Sequence, residues 1–133
     1  MRNLEMMISD LSAELKMQGY KKTRLNWHKK RDGLTVVFSI QKSQYSRDTW
    51  YYYFGICIHD IATGNLNSLR NCHLTFCVDN TALSSLQIST LLSRWESMYG
   101  TLSDLRLRAV QGKIDGQCTR QAMQYLTQIN YRQ

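Results

Sequence analysis

Two runs that alternate apolar and polar side chains, Thr35 to Gln41 and Trp50 to Asp60, limit what this chain can fold into more than any other feature. Alternation with period two sends successive side chains to opposite faces of a strand, so each run offers one face to a core and the other to water or a partner. In the first run Leu34, Val36, Phe38 and Ile40 share a face, and Thr35, Val37, Ser39 and Gln41 share the other. In the second, Trp50, Tyr52, Phe54, Ile56 and Ile58 oppose Tyr51, Tyr53, Gly55, Cys57 and His59. The even positions read as the core face, and the polar segment from Lys42 to Thr49 joins the two strands.

The rest of the chain either pairs with these strands or covers them. Thr23, Leu25 and Trp27 alternate with Arg24, Asn26 and His28 in a short first strand, and Asp32-Gly33 is a strong hairpin signal after it. Beyond a loop with Gly64, Asn65 and Asn67, a fourth strand is expected where Cys72, Leu74, Phe76 and Val78 alternate with His73, Thr75 and Cys77. The spacing of Leu4, Met7, Ile8, Leu11 and Leu15 predicts a helix over residues 3–18, closed by Gly19 in a left-handed cap. Asp79-Asn80-Thr81 supplies capping side chains for a helix containing Leu83, Leu86, Ile88, Leu91, Leu92, Trp95 and Met98, which Gly100 ends. Two more helices are expected, from Ser103 to Gln111 and from Gly116 to Tyr131. Strands followed by helices, without regular alternation of the two, predict a single α+β domain over residues 1–133. It has an N-terminal helix, a four-stranded antiparallel meander and C-terminal helices packed on one face of the sheet. A chain of 133 residues buries roughly 65–70% of its unfolded surface, so no disulfide or metal staple is required.

Seventeen basic residues against ten acidic ones give a net charge of +7, which favours an acidic protein surface or a polyanion as partner. Lys16, Lys21, Lys22, Arg24, Lys29, Lys30 and Arg31 form the densest charge run, and no acid interrupts it. It reads either as a lysine-protected edge strand or as a binding patch. The first ten residues carry acids where a secretory signal needs an unbroken apolar core, and no later run approaches the ~20 apolar residues of a membrane span. A cytoplasmic protein with no membrane partner is expected. Cys57, Cys72, Cys77 and Cys118 contain no Cys-x-x-Cys pair and are expected as free buried thiols, as a reducing compartment allows.

Arg24, Asn26, His28, Thr35, Ser39, Gln41, Tyr51, Tyr53, His59, His73 and Thr75 are expected on the outward face of the sheet. Cys57, His59, His73 and Cys77 carry metal-ligating atoms, but known zinc spacings are absent and no metal or cofactor is assigned. His59 and Asp60 are adjacent on the expected strand and so point to opposite faces, which argues against their acting as a hydrogen-bonded pair. No glycine-rich phosphate loop, nucleophile elbow or paired-carboxylate motif is present, and a non-enzyme is expected.

Several segments, in order, resemble a bacterial family of unknown function, the domain-of-unknown-function 4304 family. They are Gly19-Tyr20-Lys21-Lys22, Trp27-His28-Lys29-Lys30 ahead of Asp32-Gly33-Leu34, Ile40-Gln41-Lys42-Ser43 with Tyr45, Tyr53-Phe54-Gly55-Ile56, and Cys72-His73-Leu74-Thr75-Phe76. The resemblance spans residues 15 to 77 and leaves the helical tail from residue 100 unmatched. It implies a small bacterial cytoplasmic protein, and some proteins of this sort sit beside secreted toxins as candidate immunity proteins. It supplies no catalytic residue.

The expected function is therefore that of a non-catalytic protein-binding module, a stoichiometric immunity or inhibitor protein that neutralises a bacterial toxin. Its basic, tyrosine-bearing surface would dock on an acidic surface, where charge complementarity speeds association and excludes wrong partners. The residues expected to carry contact are Lys21, Lys22, Arg24, His28, Lys42, Tyr45, Arg47, Tyr51 and Tyr53. The alternative is RNA binding, with the stretch from Lys16 to Arg31 neutralising phosphates and the strand tyrosines stacking on bases.

Overall fold

The structure is a computed structural model that describes residues 4–45, 49–78 and 83–128. Helix α1 (Leu4–Met17) buries Met7, Leu11 and Leu15, the stripe that its apolar spacing predicts. Gly19 (φ 95°) ends it in a Schellman motif, with the amide of Tyr20 donating to the carbonyl of Leu15 and that of Gly19 to Lys16. This cap turns the chain so that Tyr20 enters the core while Lys21 begins the sheet.

The sheet is antiparallel throughout, in the sequential order β1 (Lys21–Thr23), β2 (Asn26–Arg31), β3 (Leu34–Lys42), β4 (Trp50–Ile58), β5 (Leu74–Val78) and β6 (Gln117–Cys118). It has six strands where the sequence predicts four. The expected first strand is in fact a hairpin, because Arg24 takes a left-handed conformation (φ 58°) and turns Thr23 back onto Asn26. Arginine at such a position costs about 1 kcal/mol relative to glycine and leaves no turn signature in the sequence. The sixth strand takes Gln117 and Cys118 from the expected last helix and pairs them with Thr75 and Leu74. Asp32-Gly33 forms the hairpin its sequence predicts, with Gly33 at φ 81°.

Four helices lie on the even-numbered face of β3 and β4. Helix α2 (Ser85–Tyr99) starts later than expected, at a capping box in which Ser84 and Gln87 each satisfy the other's backbone amide. The proposed cap Asp79-Asn80-Thr81 falls outside the described residues. Helix α3 (Leu102–Val110) is capped by Thr101 and helix α4 (Arg120–Thr127) by Thr119, so α4 is shorter than the expected helix from Gly116. The core between helices and sheet is a chain of touching aromatic rings. Phe38 lies 5.4 Å from Trp27 and 5.6 Å from Phe54, Phe54 lies 5.4 Å from Trp95, and Trp95 lies 4.9 Å edge-on from Phe76. The expected inward set Leu34, Val36, Phe38, Ile40, Trp50, Tyr52, Phe54, Ile56 and Ile58 is buried here. No helix among the described residues is long and apolar enough to cross a membrane.

The other face is not simply open, contrary to the expectation for Thr35 and Ser39, which are buried. The connection from His59 to His73 folds back over it as two short 3-10 turns, His59–Ile61 and Leu69–Asn71, so β4 ends at Ile58 and β5 begins at Leu74. Val37, Cys57 and Cys72 make a second small core there, with Ala62, Leu66 and Leu69 packed against it. His73 pins the connection: its Nδ1 accepts from the amide of Ile58 at 3.0 Å, and the ring also bonds the Ile61 carbonyl. Burial holds this imidazole below its ordinary pKa despite the carbonyl contact, as suits a neutral structural histidine.

Gly55 is what lets the connection lie so close, because a Cβ there would fall 2.6 Å from Cys72 Sγ and 2.9 Å from Leu69 Cδ1. Gly55→Ala is expected to lift the connection and cost about 1–3 kcal/mol in urea unfolding. A loss under about 0.5 kcal/mol means that the connection does not pack on the strand.

Candidate functional site

Strand alternation divides the basic run between the two faces of the sheet. Trp27, Lys29 and Arg31 stand on the helix side of β2, opposite Phe38, Val36 and Leu34. His28 and Lys30 stand on the other side, opposite Val37 and Thr35, and Lys21 joins them through its pairing with His28.

On the helix side the charges are consumed internally. Glu96 of α2 is buried, with its side chain 8% exposed, and Lys29 Nζ lies 3.0 Å from its Oε2. Arg31 Nη1 donates to the same oxygen, and Tyr20 Oη donates to Oε1 at 2.8 Å. Burial alone would raise the Glu96 carboxyl, but the Tyr20 hydroxyl, the Lys29 ammonium and the Arg31 guanidinium together hold it below the usual carboxylate range. Burial and the neighbouring Glu96 charge push the Tyr20 phenol up. The Lys29 ammonium also sits 5.4 Å above the Tyr20 ring. This group ties α2, the α1–β1 turn and β2 together, which makes Lys29 and Arg31 structural residues.

The open side carries the surface available to a partner. Tyr51 and Tyr53 are half-buried on β4, directly opposite Gln41 and Ser39, and Tyr53 is also paired with the exposed Cys77 of β5. The hydrogen bond with Cys77, with burial and the nearby Tyr51, raises the Tyr53 phenol, so its hydroxyl stays neutral. None of the six strands contains an aspartate or glutamate. The small buried cluster on this side includes neither tyrosine and no residue of α1 to α4.

Of the residues expected to make contact, the structure brings Lys21, His28, Tyr51 and Tyr53 onto this one face. Lys22 and Lys42 belong to the opposite side by register: Lys22 pairs with Trp27, and its ammonium lies 5.6 Å above that ring, while Lys42 pairs with Trp50. Arg24 occupies the β1–β2 turn rather than a strand face, and Tyr45, 93% exposed, projects from the β3–β4 connection. The register of Asn26 with Ser39 puts both turns at the same end of the sheet. Arg47 lies outside the described residues. Lys30, Leu66 and Asn67 also line this side and were missed; the alternation of His28 with Lys30 was the available signal for the first of them.

The side chains considered for chemistry have other partners. Cys57 packs in the second small core and its thiol is raised by burial; burial and the nearby Cys57 push the Cys72 thiol up to about 12. Neither is an activated nucleophile. Cys77 and Cys118 are not buried, unlike the expectation for them, and all four cysteines are free. His59 Nε2 lies 2.8 Å from Thr35 Oγ1, whereas Asp60 accepts from the Tyr125 hydroxyl, so the two neighbours serve different contacts in a 3-10 turn rather than a strand. Among the described residues no three metal-ligating side chains converge.

The family of proteins that carry the domain of unknown function DUF4304 matches this sequence over residues 11–128. The chain belongs to the DUF4304 family. The match runs through α2, α3 and α4, so the helical tail, unmatched by residue-level resemblance, is part of the family's domain. No curated protein and no solved structure shows a significant match to the chain.

Replacing the buried carboxylate tests the division of the basic run. Glu96→Gln leaves two cations without a counter-charge and is expected to cost about 2 kcal/mol, less than a fully buried pair because both cations are partly exposed. Because the folded-state pKa lies below the ordinary value of 4.5, the carboxylate's contribution is complete above that pH and is lost as pH falls below it. Chemical denaturation from pH 7 to 3 should therefore show a weaker acid dependence in the variant. Parallel curves for the two proteins contradict the assignment.

Proposed function

We propose that this DUF4304 protein is a non-catalytic binding module that docks the open face of its sheet on an acidic protein surface, as a stoichiometric inhibitor of a bacterial toxin would. The observation that carries the reading is the half-exposed pair Tyr51 and Tyr53 of β4, on the sheet face away from the helices, where no strand carries an acid and Lys21 and Lys30 stand on the neighbouring hairpin. Tyrosine suits such a role because it gives a large, rigid contact with a polar tip at low cost in side-chain entropy. Lysines at the rim add a long-range attraction that speeds encounter with an acidic surface and weakens in salt. The exposed Tyr45 and the Arg24 turn sit at the same end and extend this footprint. A cytoplasmic location accords with this role, since an immunity protein guards the cell that makes the toxin.

RNA binding is the second reading, favoured by one feature. Tyr51 and Tyr53 stand two residues apart on one strand face, a spacing that makes a platform for stacking unpaired bases.

One binding experiment separates the two. The product of the gene immediately upstream is titrated against the protein, with a short single-stranded RNA in parallel. The docking reading expects one-to-one binding of the protein partner, weakened about 10-fold or more by Tyr53→Ala, and association slowed mainly at low salt by Lys21→Glu. Binding of RNA alone, with a strong inverse dependence on salt, supports the second reading and overturns the first.

A further inference from the structure

Where the β1–β2 hairpin meets the connection that covers the second face, the structure encloses a cleft of about 210 Å³. Its walls hold Lys21, His28 and Lys30 from the hairpin, Thr35 from β3, and Leu66 and Asn67 from the connection. The aliphatic stem of Lys29 completes it at Gly19, with the Lys29 ammonium turned away to Glu96. No aspartate or glutamate lines the cleft.

This arrangement is electrostatically incomplete. Lys21 and Lys30 line a concave surface together with an imidazole, and the other residues lining it are neutral apart from Lys29, whose charge is met by Glu96. Burial and the nearby Lys21 hold His28 below its ordinary pKa, the direction expected where positive charge lacks an anion. The Nδ1 atom of His28 is enclosed and has no hydrogen-bond partner among the described residues. Thr35 Oγ1 is already engaged with His59, which leaves the Asn67 side-chain amide and the lysines as the free donors. By contrast, the cleft beside Lys29 and Arg31 on the helix side already contains its counter-charge in Glu96.

We propose that the Lys21–His28–Lys30 cleft is a binding site for an oxyanion of the phosphate class, either free phosphate or the phosphate group of a small monoester. Two lysines supply charge as flexible point donors, the Asn67 amide adds a directed donor, and the imidazole takes up a proton as the anion enters. The half-enclosed walls reduce the solvent screening that makes a flat lysine patch bind anions weakly. The site does not depend on the docking reading, since it requires only this chain and a small anion.

The test is a titration of the intact protein with inorganic phosphate and, separately, with O-phosphoserine, followed by backbone amide and imidazole nitrogen resonances at pH 6.5. The expected result is a saturable shift of the amides of Lys21, His28, Leu66 and Asn67, with the His28 ring moving towards its imidazolium form. A Lys21→Met/Lys30→Met variant, whose substitutions are both at exposed positions, should bind at least about 10-fold more weakly, whereas Lys16→Met/Lys113→Met should bind as the wild type does. Tighter binding of O-phosphoserine assigns the site to a monoester, and equal or tighter binding of phosphate assigns it to the free ion. Non-saturating shifts spread over all basic residues, or equal binding by the cleft variant, overturn the proposal.

Discussion

The buried carboxylate of Glu96 is the contact on which the arrangement of this molecule depends. It lies in the apolar stripe of α2, where desolvation would penalise it heavily without partners. The partners come from two separate places in the chain: Tyr20, delivered by the left-handed cap at Gly19, and Lys29 and Arg31, delivered by alternate positions of β2. One acid thereby fixes the helix layer to the edge of the sheet. The alternation of β2 decides which members of the dense basic run face inward to meet it, and so which stand on the other face.

The open face follows from that division. With Lys29 and Arg31 on the helix side, Lys21 and Lys30 stand with the His28 imidazole on the other, the face that also carries the two tyrosines of β4. The connection from His59 to His73 covers only the end of this face nearest Thr35, Val37 and Cys57, and the basic cleft lies along its margin. A rigid sheet half-capped by a loop gives a surface of two parts. One is a flat tyrosine-bearing area suited to a macromolecule, and the other is a small positively charged recess suited to an anion.

Much of this was legible in the residues. The even-numbered core of β3 and β4, the cap at Gly19 and the hairpin at Asp32-Gly33 follow from period and turn chemistry, and each is present. The hairpin at Arg24 was not legible, because a left-handed arginine looks like any strand residue in a list of side chains. Nor was β6, whose two residues are too few to show alternation. The covering of the second face did leave a trace: Val37, Gly55 and Cys57 are apolar or side-chain-free at positions assigned to the outside. Glu96 left another, as an acid four residues after Leu92 on a stripe of buried residues. Both traces call for knowledge of which distant segment answers them, and alternation within one strand does not carry that.

The basic run holds two populations, one tied to the buried Glu96 and one exposed on the other face of the sheet. Equilibrium urea unfolding of four single variants measures this division most directly. Lys29→Met and Arg31→Met should each lose about 1 kcal/mol or more, since each strips a partner from a buried carboxylate, while Lys21→Met and Lys30→Met should stay within about 0.5 kcal/mol of wild type. Equal losses in all four variants, or larger losses at Lys21 and Lys30, contradict the claim.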